Sequence, residues 1–204
     1  MEHVCLDLEG VLIPEIWAEV AEYTGEEQFK LTTQDLKDYS ELMDMRIDLV
    51  QSIGLSFLEI QSLVNKMEPF EGAREFIDWV RDNFQLTIVS DSFYELAWPL
   101  LRKLGTPSIN CHYLDIENNE LKGYTLRQLE NKKKVVQGLK DMKFKVFASG
   151  DSYNDIQMLQ EADLGVFFQA PKHIREEFKE IEGVESHEDL KNVLIENSSF
   201  IGRS

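Results

Sequence analysis

The feature that most constrains the fold of this chain is an alternation of short apolar runs with amphipathic helical segments after residue 70. Apolar runs at 86–89, 146–149 and 164–168, and a first one at 4–8, have the length and composition of buried strands. Helical periodicity separates the later runs, and parallel strands require crossover connections of this kind. We therefore predict an α/β fold, a Rossmann-like parallel sheet with helices on both faces.

Residues 14–68 interrupt this alternation with a block of a different character. Its apolar residues recur at helical spacing, the pair Ser56 and Glu59 predicts a capping box, and the block contains no strand signal. We predict a small helical cap inserted after the first strand. The expected division is an α/β core of residues 1–13 and 69–204 and a helical cap of residues 14–68.

Two further apolar runs, 109–114 and 121–124, flank the turn residues Asn118 and Asn119. Their spacing predicts two strands of a small antiparallel excursion from the sheet. With 204 residues, the chain is long enough to bury its own core without a structural metal or a disulfide.

The net charge of the chain is strongly negative. Asp and Glu number 38 against 21 Lys and Arg, which gives a formal charge of −17. Nucleic-acid-binding proteins neutralise phosphates with Lys and Arg, so we expect no nucleic-acid partner. A small phosphorylated substrate remains compatible with this charge, because a divalent cation and a few local donors overcome a distant negative field.

The cysteines and the N-terminus predict a cytoplasmic protein with reduced thiols. Cys5 and Cys111 have no neighbour at metal-ligand or Cys-X-X-Cys spacing. The N-terminus lacks the basic start and apolar core of a signal peptide. Because no window approaches the roughly 18 uninterrupted apolar residues of a membrane span, we expect no membrane partner.

Polar side chains follow several predicted strands at the point where each strand ends. In an open parallel sheet, binding sites form beyond the carboxyl ends of the strands. Carboxylates brought together there raise one another's pKa unless a cation neutralises them, and oxygen ligands favour Mg²⁺. None of the four histidines is expected at these strand ends, which disfavours zinc. The side chains at the strand ends are Asp7, Glu9, Ser90, Asp91, Asp151, Asn154 and Asp155, and the histidines are His3, His112, His173 and His187.

Four short motifs occur in order along the chain. Residues 7–12, DLEGVL, are followed by an apolar strand ending in Ser90, by Lys132 near a helix start, and by residues 150–155, GDSYND. With these motifs the chain resembles the haloacid-dehalogenase-like phosphohydrolases. The first motif of that family has a second Asp where this chain has Glu9. Lys132 is our choice within a run of three lysines, and which of the three holds phosphate is left open.

The helical block after the first motif is similar to the small cap of the phosphoserine phosphatase branch of this family. In that branch, a Glu after the first motif and an Arg in the cap hold the amino and carboxylate groups of phosphoserine. Glu15 and Arg46 match these positions. The start of the chain also resembles bacterial phosphoserine phosphatases that transfer phosphate to homoserine. The resemblance implies a phosphatase for O-phosphoserine, with homoserine as a further acceptor.

The resemblance also implies a role for each residue of the motifs. Asp7 would attack phosphorus and become an aspartyl phosphate, while Glu9 would act as general acid and base. Ser90 and Lys132 would hold the phosphoryl oxygens in the transition state. Mg²⁺ would be held by Asp7, the backbone carbonyl of Glu9, and Asp151. The residues expected to bind substrate are Glu15, Arg46, Ser90, Asp91, Lys132 and Asn154, and Asp155 would act on the water of the metal or on Lys132.

Other interpretations stay open on the sequence. Another small phosphate ester is an alternative substrate, and a phosphoryl-accepting receiver module is an alternative of a different class. The helical block and the GDSYND turn count against the receiver. Arg46 on a helix would ordinarily be a surface charge paired with Asp44 or Asp48, and Asp151 could serve as a helix N-cap. The sequence does not decide between a monomer and a homodimer.

Overall fold

One seven-stranded sheet organises the computed structural model, which describes residues 1–33, 35, 36 and 38–201. Its strand order is β4-β3-β2-β1-β5-β6-β7, and all neighbours are parallel except β3 and β4. The strands are β1 (Glu2–Leu6), β2 (Gln85–Phe93), β3 (Ile109–Glu117), β4 (Glu120–Thr125), β5 (Lys145–Gly150), β6 (Leu164–Phe168) and β7 (Glu182–Val184).

Helices connect these strands and cover both faces of the sheet. The α-helices of the described residues are α1 (Ile16–Thr24), α2 (Tyr39–Ser52), α3 (Phe57–Lys66), α4 (Ala73–Asn83), α5 (Tyr94–Lys103), α6 (Asn131–Asp141), α7 (Ile156–Glu161), α8 (Lys172–Glu177) and α9 (His187–Asn197). Short 3-10 turns form at Glu27–Lys30 and Tyr153–Asp155. Alternate side chains of β1 separate the two cores, because Val4 and Leu6 pack into one apolar cluster and Cys5 into the other. The predicted α/β fold with helices on both faces is confirmed.

The central position of β1 explains where a site forms. β1 pairs with β2 on one side and with β5 on the other, and Leu6 lies opposite both Ile88 and Ser149. The residues that follow these three strands therefore lie side by side at one edge of the sheet.

Two predictions about the sheet need correction. The second strand runs past Ser90 to Phe93, with a shift in its pairing with β3 between Val89 and Phe93. The predicted antiparallel excursion is right for the pair β3 and β4, but β3 also pairs in parallel with β2 and so belongs to the main sheet. Long-range pairing of this kind leaves no trace in the local sequence pattern. The sequence analysis did not predict α8 or β7, because elements of six and three residues are too short to show a periodic pattern.

The helical insertion, defined as residues 14–68, contains α1, α2 and α3. Residues 34 and 37 of this range lie outside the described part, and no strand occurs among the described ones. The predicted capping box is present, since Ser56 accepts the N–H of Glu59 and the Glu59 carboxylate accepts the N–H of Ser56. Among the described residues no single helix is long and apolar enough to span a membrane. The pair α2 and α3 meets that length and composition only together, with a bend of 108°.

Candidate active site

A buried cluster of ionisable side chains lies where β1, β5 and α6 meet. The ammonium of Lys132 donates hydrogen bonds to Oδ2 of Asp7 and to Oδ1 of Asp155, both at 2.7 Å. Asp91 lies farther from the same ammonium, with its Oδ2 at 4.0 Å. Asp7 and Lys132 are 4% and 3% exposed and Asp155 is fully buried. Because little water reaches this cluster, its charges interact strongly.

The backbone around β1 orients Asp7. The N–H of Asp7 donates to the carbonyl of Ser149 at 2.9 Å, which continues the pairing of β1 with β5 for one residue. Its Oδ1 accepts the N–H of Leu8 at 2.7 Å. Both oxygens of the carboxylate are thus engaged, one by the backbone and one by Lys132, so the side chain has a single defined orientation.

The turn after β5 orients Asp155 in a similar way. Its Oδ2 accepts the backbone N–H groups of Asp151 and Ser152 at 3.0 and 3.1 Å. This close approach requires glycine before the turn, because a Cβ on Gly150 would lie 2.2 Å from Cγ of Asp155. The glycine and the second aspartate of GDSYND are therefore one structural unit.

Three carboxylates lie close together at this edge of the sheet. Ligand oxygens of Asp7, Asp151 and Asp155 lie within 4.8 Å of one another. Burial and then the charge of Asp155 raise the pKa of Asp7 well above its ordinary value and that of Asp151 to about 7. Gly10, at φ +77°, keeps space open here, since a Cβ on it would lie 2.3 Å from Cγ of Asp151. Mg²⁺ prefers oxygen ligands, and a cation between Asp7 and Asp151 would offset the repulsion that raises their pKa values.

Lys132 stays charged inside this cluster. Burial alone would lower its pKa, but Asp155, Asp7 and Asp91 outweigh burial and raise the pKa well above the ordinary value. Burial would likewise raise the pKa of Asp91, which Lys132 and His112 hold below its usual range. The site therefore keeps a permanent cation beside Asp7.

The structure distinguishes the three lysines that the sequence left open. Lys132 is buried against Asp7, whereas Lys133 is half-buried and Lys134 is exposed. Asn131, which the sequence analysis missed, is itself buried and donates from Nδ2 to the carbonyl of Ser90 at 3.2 Å. This contact ties the start of α6 to β2 and sets the distance between Lys132 and Ser90.

The end of β2 contributes two more of the predicted residues. Ser90 is 2% exposed, and its Oγ accepts the N–H of Ser92 at 3.1 Å. The Asp91 carboxylate follows, and its Oδ2 accepts Nδ2 of Asn154 at 3.3 Å. These side chains connect the ends of β2 and β5 across β1.

On the opposite side of the site, α2 of the helical insertion presents Arg46. The side chain is 8% exposed, so Arg46 is not the surface charge that the alternative interpretation described. Its guanidinium lies over the Trp17 ring at 5.0 Å and donates from Nη2 to the carbonyl of Leu31 at 2.7 Å. The buried Nε has no hydrogen-bond partner among the described residues.

Glu9 and Glu15 are two further carboxylates near Arg46, and their charges act on its guanidinium. Oε2 of Glu9 accepts the N–H of Ile16 at 2.9 Å. The enclosure of the cavity and then the Glu9 carboxylate raise the pKa of Glu15 to about 8, although its side chain keeps access to solvent. A cation placed beside Glu15 would lower this pKa again.

All the predicted site residues except Asp155 line one cavity of about 210 Å³. Core and insertion residues face each other across it, so the cavity has two walls of different origin. The predicted site residues among its lining are Asp7, Glu9, Glu15, Arg46, Ser90, Asp91, Lys132, Asp151 and Asn154. Asp155 lies behind Lys132 and Asp151.

No histidine directly follows β1, β2 or β5, but His112 of β3 still comes close to the site. Because β3 joins the main sheet beside β2, Nε2 of His112 comes within 3.6 Å of Oδ1 of Asp91. Its Nδ1 accepts the N–H of Arg127 at 3.1 Å, which leaves the proton of a neutral ring on Nε2. The carboxylate cluster within 4.8 Å, as found among the described residues, contains no histidine.

A larger cavity of about 530 Å³ lies on the other side of the first motif. Aromatic side chains of Phe76, Trp79 and Phe168 line it, together with His187. Nε2 of His187 donates to the carbonyl of Val11 at 2.9 Å, which supports the loop after β1 from behind. None of the predicted site residues lines this cavity, so the smaller cavity is the candidate active site.

Comparison with solved structures finds the same fold in two phosphoserine phosphatase structures. A substrate-bound phosphoserine phosphatase complex has a TM-score of 0.78 at 21% identity, over 95% of this chain and 96% of that one. A phospho-aspartyl intermediate analogue of a phosphoserine phosphatase has a TM-score of 0.77 at 23% identity, over 95% of this chain and 97% of that one. At these identities the likeness establishes the fold.

Two curated proteins are similar in sequence over almost the whole chain. Phosphoserine phosphatase ThrH of Pseudomonas aeruginosa is 46% identical over 98% of each chain. A phosphoserine phosphatase of Pseudomonas syringae pv. tomato is 44% identical over 98% of this chain and 84% of that protein. The family model for haloacid dehalogenase-like hydrolases matches residues 1–163, which include all four motifs. This chain therefore belongs to the haloacid dehalogenase-like hydrolases.

Proposed function

We propose that this protein is a Mg²⁺-dependent phosphatase for O-phosphoserine. The observation that carries the proposal is that one small cavity has the Asp7 and Lys132 pair on its core wall and Arg46 with Glu15 on its insertion wall. The first pair suits a phosphoryl group and the second suits the head group of an amino acid. The names of the two Pseudomonas relatives support the same substrate.

Asp7 is the proposed nucleophile. Its carboxylate attacks phosphorus in line and becomes an aspartyl phosphate, which divides one difficult displacement into two easier ones. The hydrogen bond from Leu8 and the ion pair with Lys132 hold the attacking group in one orientation. Lys132 and Ser90 then hold the phosphoryl oxygens, where negative charge spreads in the transition state.

Glu9 is the proposed acid and base. It protonates the serine oxygen as the ester bond breaks, and later takes the proton of the water that attacks the aspartyl phosphate. The N–H of Ile16 holds one oxygen of Glu9 at 2.9 Å, at the entrance to α1. This contact compensates for the extra methylene of Glu relative to Asp by fixing where the longer side chain ends.

Asp7, Asp151 and the backbone carbonyl of Glu9 are the groups that would hold Mg²⁺. When bound, the ion offsets the repulsion between an anionic nucleophile and the phosphate. Asp155 does not line the cavity. Its role is to hold Lys132 and the backbone N–H groups of Asp151 and Ser152 in place.

The helical insertion acts in this proposal as a cap that selects the substrate. The donors of Arg46 bind the substrate carboxylate, and Glu15 binds its ammonium group. The unpartnered Nε of Arg46 supports this role, because a buried donor is costly unless a ligand satisfies it. Asp91 and Asn154 complete the substrate contacts at the strand ends.

The same head-group contacts allow a second acceptor. Homoserine carries the amino and carboxylate groups of serine, so it can bind between Arg46 and Glu15 once serine has left. Its hydroxyl would attack the aspartyl phosphate, Glu9 would take the hydroxyl proton, and Asp7 would leave as carboxylate. The products are then serine and phosphohomoserine.

The test is a panel of phosphate esters with Mg²⁺, with and without homoserine, followed by ³¹P NMR. We expect turnover of O-phosphoserine well above that of sugar phosphates, loss of turnover in chelator, and a phosphohomoserine signal when homoserine is added. Turnover of another ester with none of O-phosphoserine would reject the substrate assignment. A single phosphorylation of Asp7 without turnover would favour a receiver module.

A further inference from the structure

We infer that the Tyr39 hydroxyl positions helix α2, and through it Arg46, against the catalytic core. The observation is a hydrogen bond of 2.7 Å from the Tyr39 hydroxyl to the backbone carbonyl of Asp91. Tyr39 is the first residue of α2, whereas Asp91 lies in β2 next to Ser90. The bond therefore joins the helical insertion to the phosphate side of the site.

The contact of Tyr39 affects the position of Arg46 because both residues lie in α2. Tyr39, Met43 and Arg46 fall at i, i+4 and i+7, which places them on one face of α2, and all three line the active-site cavity. Seven residues of helix span about 10 Å, so a shift at the Tyr39 end moves the Arg46 guanidinium with it. Tyr39 thus sets where the carboxylate-binding group stands relative to Asp7.

Core aromatic residues hold the Tyr39 ring in turn. The ring meets His112 of β3 edge-on at 6.0 Å and Tyr124 of β4 at 6.1 Å. Burial and then the Asp91 charge raise the pKa of the Tyr39 hydroxyl well above its ordinary value, so the hydroxyl remains a donor at neutral pH. The hydrogen bond from Tyr39 to Asp91 therefore joins the two walls of the cavity.

A second hydrogen bond from α2 to the core provides a matched control for the contact of Tyr39. Nε2 of Gln51, in the last turn of α2, donates to the carbonyl of Leu121 in β4 at 2.9 Å. Gln51 is exposed and does not line the active-site cavity. Tyr39 and Gln51 therefore anchor opposite ends of one helix, one beside the site and one away from it.

The inference rests on the proposed function for its choice of substrate. Tyr39→Phe keeps the ring and removes the hydrogen bond. We expect kcat/KM for O-phosphoserine to fall about three- to tenfold, mainly through KM, which is the size of effect that one hydrogen bond supports. The loss with 4-nitrophenyl phosphate, which has no carboxylate for Arg46 to bind, should be at least threefold smaller. Gln51→Met should change both substrates less than twofold.

Hydrogen exchange of the amides in residues 40–46 gives a readout that needs no substrate. Tyr39→Phe should speed their exchange, and Gln51→Met should leave these amides as in the wild type. Equal losses on the two substrates, or unchanged exchange in 40–46, would overturn the inference. If the wild type failed to hydrolyse O-phosphoserine, the proposed function would fail, while the exchange comparison would still decide whether Tyr39 holds α2.

Discussion

The two walls of the active-site cavity are built on opposite principles. On the core wall, both oxygens of Asp7 and of Asp155 accept hydrogen bonds, and Lys132 joins the two carboxylates. On the insertion wall, Arg46 rests on a Trp17 ring and on backbone carbonyls, and its Nε is unpartnered among the described residues. The core wall thus fixes its side chains by its own hydrogen bonds, whereas the insertion wall keeps one buried donor without a partner in the described part of the chain.

This difference indicates that the proposed catalytic groups and the proposed substrate-recognition groups lie on different walls of the cavity. A nucleophile and the groups that stabilise its transition state gain from being fixed before the substrate arrives, because no reorganisation is then needed during the reaction. A group that recognises substrate needs free donors instead, and it can sit on a separate element. Substitutions on the core wall should therefore abolish chemistry on every ester, and those on the insertion wall should change which ester is used.

Asp7→Asn should have the largest effect. The amide is a poor nucleophile and a weaker cation ligand, so kcat should fall on the order of 10⁴-fold or more with O-phosphoserine and with 4-nitrophenyl phosphate alike. Steady-state assays of both esters check this result. Substantial turnover of either ester by the variant would remove Asp7 from the role of nucleophile.

Glu9→Gln should have the next largest effect and should depend on the leaving group. Loss of a general acid costs about 10²- to 10⁴-fold when the leaving group needs a proton, as serine does. The loss should be smaller with 4-nitrophenyl phosphate, whose phenolate leaves unaided. The comparison is of kcat for the two esters, and equal losses would argue against an acid role for Glu9.

Arg46→Ala tests the insertion wall directly. Removing a charge-assisted pair from an enclosed site should lower kcat/KM for O-phosphoserine by roughly 30- to 1,000-fold. The loss with 4-nitrophenyl phosphate should be far smaller. In the presence of homoserine, the yields of serine and of phosphohomoserine should both fall. Arg46→Lys should restore only part of the loss, because an ammonium cannot form the paired hydrogen bonds of a guanidinium. A loss of equal size on both esters would make Arg46 a structural residue.

Ser56→Ala should have the smallest effect and serves as a control for the whole insertion. It removes the capping box of α3, so thermal unfolding should shift down by about 2–4 °C. Kinetics with both esters should stay close to wild type, since α3 does not line the active-site cavity. Selectivity changed as strongly as in Arg46→Ala would mean that the insertion acts through its overall stability.

Much of the core wall was predictable because it follows from local rules. Asp7 lies directly after a buried apolar strand, Ser90 lies within another, and Asp151 follows a third strand, and the ends of parallel strands meet at one edge of a sheet. The capping box of Ser56 and Glu59 was equally local. Such features depend on residues within a few positions of each other, so the sequence alone determined the fold class, the site edge and its acidic character.

Packing between distant segments decided the rest. Three adjacent lysines look alike in the sequence, and only the burial of α6 selects Lys132 for Asp7. His112 reaches Asp91 because β3 pairs with β2, and Tyr39 reaches the same residue from 52 positions away. No local sequence pattern specifies contacts between residues so far apart in the chain. They depend on which helix and strand surfaces pack against each other and exclude water in the folded protein.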